Sequence, residues 1–175
     1  IINLNNFKSI KPINVAISDT KDVEINFKES KNDWESSIQT TNFDLFKTSK
    51  IKTLTLDSII EKENINLSKF STVIKLDIEG HEMNAIKGAE NLIKKYSPLI
   101  IIEFSKFISQ NDYKLLGVFL QQNNYAVYDA RYDEIDLDIV SKRLSDLPVS
   151  MFGIGNNFLI KKNSYFENII KNLKN

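Results

Sequence analysis

The sequence predicts an α/β fold whose sheet is mostly parallel and flanked by helices. Two short apolar runs, 73–78 and 99–104, are separated by about twenty residues, the length that a crossover between parallel strands needs. Apolar residues recur at helical spacing within that connection. Predicted strands and helices then alternate along the rest of the chain, and this order is typical of one layered α/β sheet.

The composition is that of a single globular domain. The chain has 175 residues, of which 42% are hydrophobic and 26% charged. Lys plus Arg and Asp plus Glu both number 23, so no net field attracts nucleic acid. The lack of cysteine excludes disulfides and thiolate metal sites, and no apolar run is long enough to span a membrane. We expect a cytoplasmic protein with a small-molecule partner, and the sequence leaves open whether the protein forms a homo-oligomer.

Two strands and a polar segment are predicted before the central unit. The strands cover 13–18 and 23–27, and residues 29–50 show no firm periodicity, which predicts a mobile surface segment that could face a substrate. Residues 51–56 are predicted to form a strand at an edge of the sheet. Asp57 is then expected to be the N-cap of a short helix.

One helix is predicted between the two central strands. Gly88 in this helix would allow its backbone to approach the sheet closely. The apolar positions that define the helix are Met83, Ile86, Ala89, Leu92, Ile93 and Tyr96.

Further helices and strands are predicted after the central unit. Asp112 can cap a helix that leads to a strand at 125–128, and a second helix is expected at 134–147. The glycines in 153–155 indicate a turn before a last strand at 157–161.

Acidic side chains cluster near the carboxyl ends of the two central strands. Asp77 and Glu79 follow the first strand, Glu82 starts the helix and Glu103 closes the second strand. Ligands bind at such strand ends in open α/β sheets, and a carboxylate there can hold a ribose hydroxyl, accept a proton or bind a cation. Gly80 suits the tight turn that this geometry needs.

Glu82, Glu103 and His81 also have ordinary structural interpretations. Glu82 could be a helix-start charge stabilised by the helix dipole, a role that does not explain Asp77. Glu103 could belong to a structural ion pair. His81 is the only histidine and titrates near neutral pH, but a single histidine in a turn is more often solvated or hydrogen-bonded than catalytic. We retain Asp77, Glu79, His81, Glu82 and Glu103 as candidate catalytic residues.

A family resemblance is carried by the segment that contains the acidic turn. Residues 75–103 read KLDIEGHEMNAIKGAENLIKKYSPLIIIE, with a Lys-x-Asp-x-Glu-Gly-x-Glu pattern, a Lys-Gly-Ala helix, and a proline before an apolar strand that ends in Glu. The flanking segments INVAISD, TLTLDSII and NNFLIKK agree with it. Together they resemble the FkbM family of S-adenosylmethionine-dependent methyltransferases.

The resemblance implies a Rossmann-like class I methyltransferase that uses S-adenosylmethionine to methylate an oxygen, often a hydroxyl of a sugar or another small metabolite. Asp77, Glu79 and Glu82 would lie beside the methyl donor and acceptor. Ser18 and Asp19 would lie near the adenine, so Ser18, Asp19 and Asp77 are the expected cofactor-binding residues. A carboxylate or His81 could remove the acceptor proton.

The resemblance also implies that the chain is the carboxyl-terminal portion of such a domain. The family's first strand with its glycine-rich loop, and the second strand, would lie upstream of Ile1. Residues 1–175 are therefore expected to form a single partial domain that lacks the first strand–helix units. We expect this chain alone to bind S-adenosylmethionine poorly.

Two other functions stay open. One is a non-catalytic binding or assembly module derived from the same fold. The other is a divalent-cation-dependent hydrolase or transferase whose cation site is formed by the acidic cluster Asp77, Glu79, Glu82 and Glu103, since oxygen ligands suit magnesium or calcium. Trp34, Tyr128 and Tyr132 could stack on a sugar ring, but packing is the more common role of such aromatic residues.

Overall fold

The computed structural model describes residues 9–30, 45–105, 108–146 and 153–174. The strands are β1 (Ala16–Ile17), β2 (Glu24–Ser30), β3 (Leu45–Leu54), β4 (Val73–Leu76), β5 (Leu99–Ser105), β6 (Tyr125–Tyr128), β7 (Glu134–Ile135) and β8 (Gly153–Lys161). The helices are α1 (Leu56–Lys62), α2 (Glu82–Lys87), α3 (Glu90–Tyr96), α4 (Gln110–Asn123), α5 (Leu137–Asp146) and α6 (Tyr165–Lys174). The mixture of sheets and helices confirms the α/β class.

The larger sheet has the strand order β4-β5-β8-β6-β7. β4 and β5 pair in parallel, as the crossover predicts, with Val73 opposite Leu99. β8 lies between β5 and β6 and is antiparallel to both, so β4, β5 and β6 all run in one direction. β6 and β7 are joined by residues 129–133, and a connection this short permits only an antiparallel pair. The prediction of a mostly parallel sheet is therefore corrected to a mixed sheet.

The smaller sheet has the order β1-β3-β2, with β3 parallel to β1 and antiparallel to β2. Residues 51–54 thus belong to a central strand, not to an edge. The prediction of a mobile segment over 29–50 is wrong for residues 29–30 and 45–50, which lie in β2 and β3. Their polar character reflects cross-strand ion pairs, such as Lys50 with Glu24 at 2.8 Å. Residues 31–44, including Trp34, lie outside the described part.

The main core lies between the larger sheet and helices α2, α3, α4 and α5. β5 supplies its centre, since Ile100, Ile102 and Phe104 are fully buried. A smaller cluster lies under α6, a helix that the sequence analysis does not predict. Its buried members are Ala126, Tyr128, Ile160 and Ile170. No helix in the described ranges is long and apolar enough to cross a membrane.

The helix predicted between the central strands is two helices, α2 and α3, which are separated at Gly88 and Ala89. Gly88 faces the end of β1, and a Cβ atom added there would lie 2.1 Å from the carbonyl oxygen of Ser18. This confirms that glycine is needed for a close backbone approach. α2 ends at Gly88, and the close approach to Ser18 leaves no room there for a side chain.

Both predicted N-caps, Asp57 and Asp112, are wrong, because in each case a residue two or three positions earlier caps the helix. Thr55 caps α1 by accepting a hydrogen bond from the Ser58 amide at 3.0 Å. Asp57 caps α3, because its two carboxylate oxygens accept bonds from the amides of residues 91 and 92 at 2.9 and 2.8 Å. Ser109, not Asp112, caps α4.

The predictions near the carboxyl end need two changes. Residues 134–135 form β7, so α5 begins at Leu137 and is shorter than predicted. Residues 153–155 lie in β8 and are not a turn, because Gly153 pairs with Ser105 of β5.

Candidate functional site

Three chain segments meet beside the carboxyl ends of β1, β4 and β5. They are Ser18 and Asp19 after β1, residues 77–82 after β4, and Glu103 near the end of β5. β4 and β5 are parallel neighbours, so their carboxyl ends lie at the same edge of the sheet. The hydrogen bond between His81 and Ser18 links the turn after β4 to the end of β1.

The turn after β4 has an unusual backbone held by the Glu82 side chain. Glu79 has a φ of 52° and Gly80 a φ of 94°, and this left-handed region is costly for a residue with a side chain. Glu82 Oε1 accepts hydrogen bonds from the amides of Ile78 at 3.3 Å and Gly80 at 3.2 Å. Glu82 begins α2, as the sequence analysis indicates. Its carboxyl group is buried and holds the turn through these two hydrogen bonds, so it is not a charge exposed to solvent.

The Glu82 carboxyl group is poorly suited to carry a charge. Burial raises its pKa, three backbone hydrogen bonds partly offset this, and the charge of Asp77 raises it further. Its second oxygen, Oε2, is buried and has no hydrogen-bond partner.

Asp77 and Glu103 form a hydrogen-bonded pair of carboxyl groups. The Lys75 ammonium group is bound to Asp77 and lowers the Asp77 pKa. Burial raises the pKa of Glu103, and the neighbouring Asp77 raises it further. The two pKa values are therefore shifted apart, and Glu103 takes up a proton more readily than Asp77 does.

A second chain of polar groups runs through Asp19, Ser18 and His81. The Ser18 hydroxyl donates to Asp19 Oδ1 at 3.1 Å and lies 3.1 Å from His81 Nε2. Because this hydroxyl has one proton and donates it to Asp19, the His81 Nε2–H must be the donor to Ser18. The neutral imidazole then keeps Nδ1 as the nitrogen that can accept a proton.

The electrostatics of this chain of polar groups leave one end charged and the other end neutral. Burial lowers the His81 pKa, and Asp19 and Asp112 only partly offset this, so the imidazole is neutral near pH 7. Burial acts to raise the pKa of Asp19, but hydrogen bonds from Asn84 and Ser18 outweigh it and lower that pKa. Asp19 is therefore an anion and His81 a neutral base.

The structure thus groups the candidate residues into two sets. Asp77, Glu82 and Glu103 interact with one another on one side of the turn. Ser18, Asp19 and His81 form the other set. Glu79, half-buried, lies between them at the apex of the turn.

Sequence reasoning missed Tyr113 and Asn84 as members of the site. Asn84 bonds to Asp19, and the Tyr113 hydroxyl is buried near Glu82 without a hydrogen-bond partner. No sequence signal marks either of them, because Tyr113 has the helical spacing of a core residue and Asn84 resembles any exposed helix position.

The aromatic residues proposed for sugar stacking have packing roles where the structure describes them. The Tyr128 hydroxyl donates to Glu167 at 3.0 Å in a buried contact. The Tyr132 ring packs against Phe158, with 5.9 Å between the ring centres. Both residues belong to the smaller cluster under α6.

Within the described ranges, no three His, Asp or Glu side chains are arranged so that they could hold a metal ion. This part of the chain therefore offers no support for the divalent-cation alternative.

The mixed α/β fold is consistent with a methyltransferase-type domain. The family model of the methyltransferase FkbM domain matches residues 3–129. This chain therefore belongs to the FkbM methyltransferase family, and the resemblance noted in the sequence is confirmed. No curated protein and no solved structure matches the chain.

Proposed function

We propose that the protein transfers a methyl group from S-adenosylmethionine to a hydroxyl oxygen of a sugar or another small metabolite, in the cytoplasm. The observation that supports this most is the convergence of the ends of β1, β4 and β5 on one polar site in a chain of the FkbM family. Crevices at the carboxyl ends of strands are the usual ligand sites of α/β sheets.

The residues at this site fit the proposed cofactor chemically. When bound, S-adenosylmethionine would supply a methyl group on a positively charged sulfur. The anionic Asp77 and Asp19 favour a cation, and either carboxylate can accept hydrogen bonds from ribose hydroxyls. The unpartnered Glu82 Oε2 offers a further polar atom in the interior of the site.

His81 is the best general base of the site. Lys75 lowers the pKa of Asp77, which makes Asp77 a weak base, and the Glu103 carboxyl group is engaged with Asp77. The His81 ring is neutral and oriented by Ser18, which leaves Nδ1 to take the proton from the acceptor hydroxyl.

The proposed reaction balances in charge and atoms. S-adenosylmethionine, when bound, would supply the methyl group, with its carbon–sulfur bond broken as the carbon–oxygen bond is formed, and would leave as a neutral thioether. The hydroxyl proton moves to His81, which becomes an imidazolium ion stabilised by Asp19 through Ser18.

The proposal is tested by calorimetric titration of S-adenosylhomocysteine. Because the resemblance places the glycine-rich loop upstream, the titration uses this chain and a form extended upstream by about sixty residues, the size of two strand–helix units. We expect the extended form to bind and Asp77→Asn to weaken its binding. Asp138→Asn is the matched control, since Asp138 is an exposed residue of α5. Binding by neither form would exclude the methyltransferase proposal and favour the assembly module.

A further inference from the structure

A groove of about 780 Å³ lies between α1 and α3. One wall is α1 with the loop that follows it, residues 64–68, and the other wall is α3. The loop leads to the start of β4 and α3 leads to the start of β5, so the groove runs toward the edge of the sheet opposite the acidic turn. No residue that lines it belongs to the candidate site. Sites for small organic ligands usually have volumes of about 300–1,000 Å³.

The floor of the groove is apolar and held by the main core. Leu92 of α3 is buried in that core, and Ile60 of α1 and Tyr96 of α3 pack against it. The Lys95 ammonium group lies 5.1 Å from the centre of the Tyr96 ring and helps to fix that ring. The floor is therefore preformed, and it offers aliphatic and aromatic surface to the apolar side of a ligand.

The rim of the groove carries side-chain amides, which can both donate and accept hydrogen bonds. Asn64, Asn66 and Asn91 are exposed there. Within the described ranges, the side-chain amides of Asn64 and Asn91 have no hydrogen bond to another protein group. Asn66 Oδ1 accepts from the Ser68 amide at 3.0 Å and the Ser68 hydroxyl at 2.6 Å, which leaves the Asn66 NH₂ group as a donor. Hydrogen-bonding groups are thus available on both walls.

The charges along the groove favour a neutral ligand. The Asp57 carboxylate already accepts from the first amides of α3. Glu61 and Lys95 add one exposed charge of each sign, so an anion would meet Glu61 and a cation would meet Lys95. An extended peptide has no strand edge to pair with, because the walls are two helices and a loop. The ligand that fits is neutral, with an apolar face and polar edges.

We propose that this groove binds a neutral saccharide of several units. The apolar C–H face of a pyranose ring lies on the floor at Leu92 and Tyr96, and its hydroxyl groups bond to the amides of the rim. Each sugar hydroxyl is both a donor and an acceptor, and a side-chain amide supplies the matching acceptor and donor. This inference adds a second binding site to the protein and does not rest on the proposed function.

The test is an NMR titration of the full chain with maltotetraose, cellotetraose and tetra-N-acetylchitotetraose. We expect at least one of these tetrasaccharides to shift the backbone signals of residues 64–68 and 91–96 and to reach saturation. Glycerol and adenosine 5′-monophosphate are the comparison ligands. They should leave the same signals unchanged, since glycerol has hydroxyl groups without a ring and the nucleotide carries a negative charge.

Asn91→Ala and Asn64→Gly each remove one amide from the rim. Alanine suits the exposed first turn of α3, and glycine readily adopts the φ of 50° found at residue 64, so both variants should keep the wild-type urea midpoint. Each should weaken saccharide binding about fivefold, the effect of one neutral hydrogen bond. Asn168→Ala is the matched control, because it removes an exposed amide from α6, outside the groove, and should leave the affinity unchanged.

Saturable binding of none of the three tetrasaccharides would overturn this inference. Equal shifts with glycerol or with the nucleotide would also overturn it, because the groove would then not select a neutral sugar ring. Unchanged affinity in both Asn91→Ala and Asn64→Gly would show that the saccharide binds elsewhere, and the inference would fail. The proposed function stands in each case, since the titration does not involve the candidate site.

Discussion

Replacement of Gly88 by alanine tests how closely α2 approaches the end of β1. The new Cβ would lie 2.1 Å from the Ser18 carbonyl oxygen and 3.3 Å from the Thr55 Cβ. Ordinary contact begins at 3.4 Å, so the Ser18 backbone must move back by about 1.3 Å. Overpacking of this kind costs about 1–3 kcal/mol, whereas alanine regains about 0.5–1 kcal/mol over glycine. We expect a net loss of about 1–2 kcal/mol of unfolding free energy.

Urea unfolding followed by circular dichroism measures this loss. Gly117→Ala is the control, because the nearest atom to its added Cβ would be 3.8 Å away in the middle of α4, and this variant should be more stable than the wild type. Gly88→Ala should also shift the NMR signal of the single histidine, since movement of Ser18 breaks its contact with His81. If Gly88→Ala is stabilised as Gly117→Ala is, the close approach is refuted.

Three further predictions concern a cap, a titration and a buried network. Asp57→Ala should lower the unfolding free energy by about 1 kcal/mol, because the first amides of α3 lose their hydrogen-bond acceptor. An unchanged urea midpoint would contradict the assignment of Asp57 as the cap of α3. Burial holds the His81 pKa below 6.5, so the unfolded chain binds the proton first as the pH falls. Unfolding free energy should therefore decrease below about pH 6.5 more steeply in the wild type than in His81→Asn, and equal slopes would refute this. Glu167→Ala should lower the unfolding free energy by about 2–3 kcal/mol, because Glu167 binds the Tyr128 hydroxyl, the Asn163 amide and Lys171. A thermal melt that matches the wild type would show that other contacts hold α6 in place.

The local elements of the central unit could be predicted from the sequence. The β-branched run that forms β4, the apolar run that forms β5 and the length of the connection between them determine a parallel pair. The apolar stripe that ends at Tyr96 indicates helix, but it does not show the break at Gly88. That break depends on the end of β1, which is some seventy residues away in the chain.

The sequence also contained a signal that the prediction did not use. Phe166, Ile170 and Leu173 are spaced as on one face of a helix, and α6 forms there. In contrast, the polar residues of β3 gave no strand signal, because their partners are charged side chains of β2.

The candidate site also has features that the sequence reveals and features that it does not. The acidic residues, the glycine turn and the single histidine could be identified from their positions at predicted strand ends. Their pairings could not, since Asp77 bonds Glu103 and His81 bonds Ser18 across long stretches of chain. Tyr113 gave no signal at all, because an unsatisfied hydroxyl is a property of its surroundings.

The sequence by itself therefore determined the family, the α/β class and the residues at the carboxyl ends of the strands, because hydrophobic periods and short motifs are encoded locally. Only the tertiary structure decided that β8 is inserted between β5 and β6, that Asp57 caps α3, and that the buried Glu82 carboxyl group holds the turn after β4. The physical reason is that packing brings together groups far apart in the chain, and burial then sets which of them are charged, bonded or left without a partner.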